Sequence, residues 1–358
     1  MSETEATQDS NACDPRAAAR TAWTRAVLGD PDAAPVRASM DAGFRSYWRV
    51  HTPDGTGLMK SVIVMDSPPD QEDVRPWLQV RTLLESGGVR VPGVLAQDVE
   101  AGFLLLEDLG PDTYLYVIDI GNADLLFEHA ISQLLKLQAI APPTDLPAYD
   151  DAMLARELRL FDEWFCGHHL GMNLDRDDMQ TLDDAYRILI DNALAQPQVL
   201  VHRDFMPRNL MPVQARLEDG APDGPAVLDF QDAVRGPIAY DALSLFKDAF
   251  LSWPRLRVSI WLELYHARAL EAGLPVPPLA QFIRDAELIG VQRHLKVIGI
   301  FARLKHRDGK PRYLTDVPRF FTYIDEVLPR YPELHGLQHF IKHKVKPAIE
   351  QLQAVTQA

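Results

Sequence analysis

The sequence is short of cysteine, of positive charge and of long apolar runs, and each shortage excludes a class of protein. Only two cysteines occur, Cys13 and Cys166. They form neither a disulfide framework nor a paired-cysteine zinc site, which points to a reducing compartment. Lys and Arg number 36 against 51 Asp and Glu, for a formal net charge of −15. Nucleic acids and anionic membranes are bound through a basic face, so neither is expected as a partner. An anionic small ligand stays open, because a bound divalent metal supplies positive charge locally. Apolar runs such as FLLL at 103–106 are far too short to span a bilayer. The N-terminal stretch MSETEATQDSNACDPR lacks the basic and apolar regions of a secretory signal. A cytoplasmic monomer with a disordered tail over residues 1–18 is the expectation.

What is present organises into two parts. The 358 residues suffice for two cores. Residues 19–108 read as a strand-rich lobe with one helix. RSYWRVHT (45–52), GLMKSVIVMD (57–66), GVLAQDVE (93–100) and FLLLED (103–108) are strand-like, and PDGTG (53–57) and Gly102 mark turns. QEDVRPWLQVRTLLESGG (71–88) spaces its apolar residues helically and stops at a glycine pair. Residues 109–358 are mostly helical, with stripes at Leu126–Leu135, Met153–Phe165 and Leu182–Ile190. Short strand-like pieces at 199–201, 210–213 and 226–230 interrupt them, and EDGAPDGP (218–225) reads as a surface turn. The fold class that follows is α+β, a small antiparallel sheet lobe joined to a larger helical lobe. No internal repeat is visible.

The interruption holds the chemistry. LVHRDFMPRNLM (200–211) places His202, Asp204 and Asn209 in one loop, and AVLDFQDA (226–233) follows with Asp229. Phosphoryl transfer needs an acceptor hydroxyl held in line and cations to neutralise phosphate oxygens. A carboxylate beside the hydroxyl and hard oxygen donors for Mg²⁺ are the minimum, and Asp204, Asn209 and Asp229 supply those types. His202 reads as a structural hydrogen-bonding residue, since Asp204 already stands at the reactive position. Asp241 opens the amphipathic stretch GPIAYDALSLFKDAF, where an acidic side chain is favoured. Asp232 reads as a residue on the approach to that helix. His168 and His169 read as a solvated helix end rather than a metal cluster with Asp162 and Glu163. Arg203 and Arg208 are loop-bracing or solvated charges, or in the case of Arg208 a ligand contact.

HRDFMPRN with LDFQDAVRGPIAYD resembles the aminoglycoside phosphotransferase/choline kinase family, a branch of the protein-kinase-like fold. More narrowly, these motifs with RDGKPRYLTDVPRFFTYIDEVL (307–328) are similar to bacterial kinases of N-acetylmuramate and N-acetylglucosamine that act in peptidoglycan recycling. The resemblance implies ATP and Mg²⁺ as cofactors and the anomeric hydroxyl of the sugar as acceptor. It implies that Asp204 accepts the hydroxyl proton and that Asn209 and Asp229 hold Mg²⁺. His202 and Asp241 would brace the loop. The hinge would be 104–110, with backbone around Glu107 and Leu109 pairing with adenine.

Two parts of the pattern are thin. The segment SMDAGFRSYWRV offers the phosphates only Gly43, with Phe44 and Arg45 beside it, where the family has a glycine-rich loop. The third-strand lysine is missing: Met65 stands at its position, and Lys60, an odd number of residues away, faces the other side of a strand. Its usual glutamate partner therefore has no fixed role, and Glu85 reads as a surface residue. Arg45 together with Mg²⁺ is the expected replacement charge. N-acetylmuramate carries a carboxylate, and Arg208, Arg303 and Arg307, with Lys305, Lys310 and Arg312, are the cations available to it. Two other readings stay open: a kinase for a cationic acceptor such as an aminoglycoside or choline, and a catalytically weak nucleotide-binding module.

Overall fold

A computed structural model of the chain describes residues 14–40, 44–53, 56, 58–212 and 224–357. Gly43, most of the turn expected at 53–57 and most of that expected at 218–225 lie outside the described residues. The chain divides into two compact units. One runs to Thr82 and includes Val91–Pro111; the other comprises Leu83–Arg90 and everything from Asp112.

The first unit is built on a five-stranded antiparallel sheet of order β1-β2-β3-β5-β4. Its strands are β1 Val36–Met40, β2 Ser46–Pro53, β3 Met59–Asp66, β4 Val94–Asp98 and β5 Phe103–Glu107. Helix α1 (Ala17–Leu28) precedes the sheet and α2 (Arg75–Ser86) lies between β3 and β4. The alternation of β2 and β3 sends Trp48, Val50, Val62 and Val64 to one face. There they form a core with Ala33 and Leu105, against Trp23 and Leu28. The β2–β3 register runs unbroken from Ser46↔Asp66 to Pro53↔Met59. Lys60 is exposed and Met65 fully buried. Without a bulge their side chains point to opposite faces, so Lys60 does not stand in for the absent lysine.

Helix α1 and strand β1 are additions to the sequence reading, which had one helix in this lobe. Residues 14–18, expected in a disordered tail, are ordered by charge. Buried Asp66 accepts from Arg16 Nε (2.7 Å) and Arg20 Nη1 (2.8 Å), while Asp14 takes the other guanidinium nitrogen of Arg20. Arg20 also lies 3.6 Å over the Trp48 ring. Such a buried carboxylate is stable only when paired, so the helix carrying the arginines is fixed to β3.

The second unit is helical. The single turn α3 (Tyr114–Val117) is followed by α4 (Ala123–Ala139), α5 (Asp151–Leu160), α6 (Arg176–Ala195), α7 (Ala239–Phe246), α8 (Arg255–Glu271), α9 (Leu279–His306) and α10 (Val317–Val327), with shorter helices beyond. Helix α9 is the axis: it is buried along most of its length and packs against α5, α6, α7 and α10. Two ribbons interrupt the helices, β6 (Gln198–Val201) with β9 (Val234–Pro237), and β7 (Leu210–Met211) with β8 (Ala226–Val227). Strand β9 carries Gly236 and Pro237, which hides it from a propensity reading. Helix α5 continues into a wider π-helical segment, Phe161–His169. His168 is exposed, but His169 is half-buried, with Nδ1 3.2 Å from His306 Nε2 on α9. Among the described residues no helix is long and apolar enough to cross a membrane.

Candidate active site

Strand β6 delivers the chain from the core to the loop, and its partner β9 leads directly into α7. That short path puts Asp241, at the start of α7, beneath the loop. Its buried carboxylate accepts the backbone N–H groups of His202 (2.7 Å) and Arg203 (3.0 Å). Burial pushes the Asp241 carboxyl up to about 6. Arg203 is held at φ +76°, a left-handed conformation uncommon for a side-chain-bearing residue. The Asp241 bonds hold that backbone in place.

His202 is fully buried. Its Nε2 bonds the Leu228 carbonyl (2.9 Å), and its Nδ1 receives the Asp204 N–H (3.2 Å). A carbonyl only accepts and an amide N–H only donates, so the ring is the neutral Nε2–H tautomer. Burial lowers its pKa, in the same direction. His202 therefore ties the 204 segment to the 228–229 segment.

Asn209 closes the same lacing. Its Nδ2 donates to the Asp204 carbonyl (2.9 Å), and its own carbonyl accepts the Leu228 N–H (2.9 Å). The β7–β8 ribbon, Leu210↔Val227, thus continues one pair further and sets Asn209 opposite the residue before Asp229. With Nδ2 committed, Asn209 Oδ1 is the atom left to accept or ligate. Asp229 is the second non-glycine at positive φ, +62°, and its Oδ1 accepts from Gln231 Nε2 (3.0 Å). Gln231 also reaches Asp232 Oδ2 at 3.3 Å. Among the described residues the Asp204 carboxylate makes no hydrogen bond or ion pair. The loop is held by its backbone and its neighbours while the carboxylate in its middle is uncommitted.

The side chain of Arg203 turns into a cluster that sequence spacing did not reveal. It pairs with Glu157 of α5 and lies 5.6 Å from the Tyr149 ring. Glu157 also takes Lys296 Nζ of α9 (3.1 Å) and the Tyr149 hydroxyl, and Lys296 bonds the Tyr240 hydroxyl (3.2 Å). Burial alone would raise the Glu157 carboxyl, but Lys296 and Arg203 hold it below its ordinary value. Apart from Tyr149 and Glu157, eight positions apart, these partners are separated by tens of residues, so no local motif reports them.

The first unit holds the remaining expected residues. Phe44 is exposed. Arg45 is buried with Nε 3.2 Å from Glu72, an ion pair that braces the segment beside Phe44. Glu107 pairs with Gly93 through N–H to carbonyl (2.8 Å) and through Oε2 (3.2 Å). Between Glu107 and half-buried Leu109, Asp108 is gripped by Arg49 of β2, Nε at 2.6 Å and Nη2 at 3.0 Å. Burial alone would raise the Asp108 carboxyl, but these bonds keep it below its ordinary value. Arg49 also reaches the Gly110 carbonyl (2.8 Å), so the segment after β5 is rigidly set. In the second unit Arg208 lies 5.2 Å over Phe250. Arg303 is half-buried, and Arg307 is doubly bonded to Asp308.

Comparison with known proteins covers the stretch of chain that carries this loop. Residues 36–282 match the sequence profile of the phosphotransferase enzyme family. The chain belongs to that family. This phosphotransferase is 52% identical over 321 residues to the N-acetylmuramate/N-acetylglucosamine kinase of Pseudomonas putida, covering 89% of this chain and 90% of the relative. Its fold is that of choline kinase LicA from Streptococcus pneumoniae, with TM-score 0.59, 12% identity, and 86% and 99% of the two chains covered. ADP-bound aminoglycoside phosphotransferase APH(2'')-Ib gives TM-score 0.57 at 14% identity, over 86% and 97%. At such identities the likeness speaks for the fold, protein-kinase-like with a sheet unit and a helical unit. The family match and the curated kinases 43–52% identical to this chain show that the phosphotransferase is an enzyme of the kinase type.

Proposed function

We propose that this kinase transfers the γ-phosphate of ATP to the anomeric hydroxyl of N-acetylmuramate and N-acetylglucosamine, the sugars of peptidoglycan recycling. The observation that carries the reading is the Asp204 carboxylate, uncommitted in a loop whose shape is held by His202, Asn209 and Asp241. A carboxylate so placed orients the sugar hydroxyl and accepts its proton at one oxygen. The hydroxyl oxygen forms the new bond to phosphorus as the bond to the ADP oxygen breaks. Asn209 Oδ1 and the Asp229 carboxylate are hard oxygen donors one ribbon step apart, the donor type Mg²⁺ prefers, and they are the residues assigned to hold it. When bound, the metal neutralises charge on the phosphate oxygens. His202 and Asp241 keep the loop in register. The backbone around Glu107 and Leu109, steadied by Arg49 on Asp108, is assigned to adenine. Gly43, Phe44 and Arg45 are assigned to the phosphate side.

The 43–52% identical relatives are N-acetylmuramate/N-acetylglucosamine kinases, which supports the acceptor. The test is direct: incubate the protein with ATP, Mg²⁺ and each N-acetyl sugar, and follow phosphorus NMR. A sugar-phosphate signal coupled to the anomeric proton, with ADP, is expected. Transfer to amino-sugar antibiotics or choline but to neither N-acetyl sugar would overturn the acceptor. Nucleotide binding without turnover on any acceptor would point to the regulatory reading.

A further inference from the structure

Beside the catalytic loop stands a group of side chains that phosphoryl transfer itself does not use. Arg208 belongs to the tight turn Pro207–Asn209, directly before Asn209. Its guanidinium lies 5.2 Å over the ring of Phe250, which follows α7. Phe250 packs on Phe301 of α9 (6.4 Å between centroids), and Phe301 packs on Tyr313 (5.3 Å). Arg312 lies 5.0 Å over Tyr313 and bonds its hydroxyl at 3.2 Å. Burial alone would raise the Tyr313 phenol. The bond from Arg312 and the charges of Arg312, Arg208 and Lys310 together keep it below its ordinary value.

This is not a solvated charge run. The residues come from the catalytic turn, the segment after α7, helix α9 and the segment after it, and a row of aromatic rings brings them together. Among the described residues, none of Arg208, Lys310 and Arg312 is ion-paired to a carboxylate. In a chain with 51 acidic and 36 basic residues, these unpaired cations on one aromatic row lack internal compensation. A guanidinium laid on an aromatic face keeps its N–H edge available for a planar anion. Arg307 has its edge filled by Asp308. Arg303 is two residues from Phe301 on α9, and residues so spaced face different ways.

We propose that Arg208 and Arg312, with Lys310 behind them, form an anion subsite for the acceptor's carboxylate, with Phe250 and Tyr313 presenting an apolar wall to the sugar. The inference rests on the sugar-kinase reading and adds to it the feature that separates the acidic sugar from the neutral one. N-acetylmuramate carries its acid on an ether side chain at C3, away from the anomeric hydroxyl. Its receptor must therefore lie next to the catalytic carboxylate rather than at it. Arg208 meets this condition covalently, four positions along the laced loop from Asp204.

The experiment measures kcat/KM for both sugars on wild type, Arg208→Gln, Arg312→Gln, the double variant and Arg208→Lys. Each charge removal should lower the acid-to-neutral ratio about tenfold or more, through KM for the acid, the scale of a lost charged hydrogen bond. Arg208→Lys should restore part of the ratio. Arg312 is exposed, so its substitution tests the idea without risk to folding. A double variant whose ratio stays within twofold of wild type would overturn the subsite. So would an equal loss on both sugars, which would make Arg208 a loop brace only. A wild type active only on the neutral sugar also overturns the subsite alone. A wild type active on neither sugar overturns the acceptor reading and the subsite with it.

Discussion

At the scale of single residues, the loop separates groups that hold it from a carboxylate left uncommitted. His202, Asn209 and Asp241 spend their hydrogen bonds on backbone, and the Asp204 carboxylate spends none. Asp204→Asn keeps the shape and removes the proton acceptor. It should cut kcat by about 10² to 10⁴-fold with little change in KM for ATP, as steady-state assays will show. Asn209→Ala removes the proposed metal donor and the tie to the Asp204 carbonyl together. It should lower kcat and raise the Mg²⁺ concentration for half-maximal rate; an unchanged Mg²⁺ dependence would remove Asn209 from the metal. These residues were legible because family spacing places them within one short stretch. Glu157 and Lys296 were not: Glu157 reaches Arg203 across 46 positions, and Lys296 reaches Tyr240 across 56. Only the packing of α5 on α9 brings them together.

At the scale of elements, what was readable depended on which face was apolar. Helices α2, α4 and α6 bury apolar stripes and announce themselves. Helix α1 buries Arg20 and Thr24, so its inward face looks polar in the sequence. It is held by Asp66 rather than by a stripe. The α5–α9 contact around Glu157 has its own consequence for pH. The Glu157 carboxyl lies below its ordinary value of 4.5 in the folded protein, so between those values the folded state binds fewer protons than the unfolded one. Its stabilising contribution is therefore complete above about pH 4.5 and is lost as pH falls through the folded value. Glu157→Gln should flatten that part of the acid limb in urea titrations. At neutral pH it should cost about 3 kcal/mol, because Arg203 and Lys296 lose their carboxylate. A variant with the wild-type acid limb would show that the cluster does not govern acid stability.

At the scale of the whole molecule, the two-part plan and the candidate loop were visible before any coordinates, because hydrophobic period and motif order both report them. The charge replacing the third-strand lysine was not. The sequence suggested Arg45, and its ion pair with Glu72, 27 positions along the chain, was not legible there. Ligand linkage supplies a global check on the site. MgATP at a hundred times its Kd should stabilise the folded chain by about 2.7 kcal/mol, seen as a rise in melting temperature. Asp229→Gly should reduce that rise to the one given by ATP with EDTA. The same substitution bears on the left-handed backbone at Asp229, φ +62°. A side chain there costs about 1 kcal/mol that glycine does not incur. The glycine variant should then melt above wild type without ligand while no longer turning over, placing robustness and turnover in opposition at a single α-carbon.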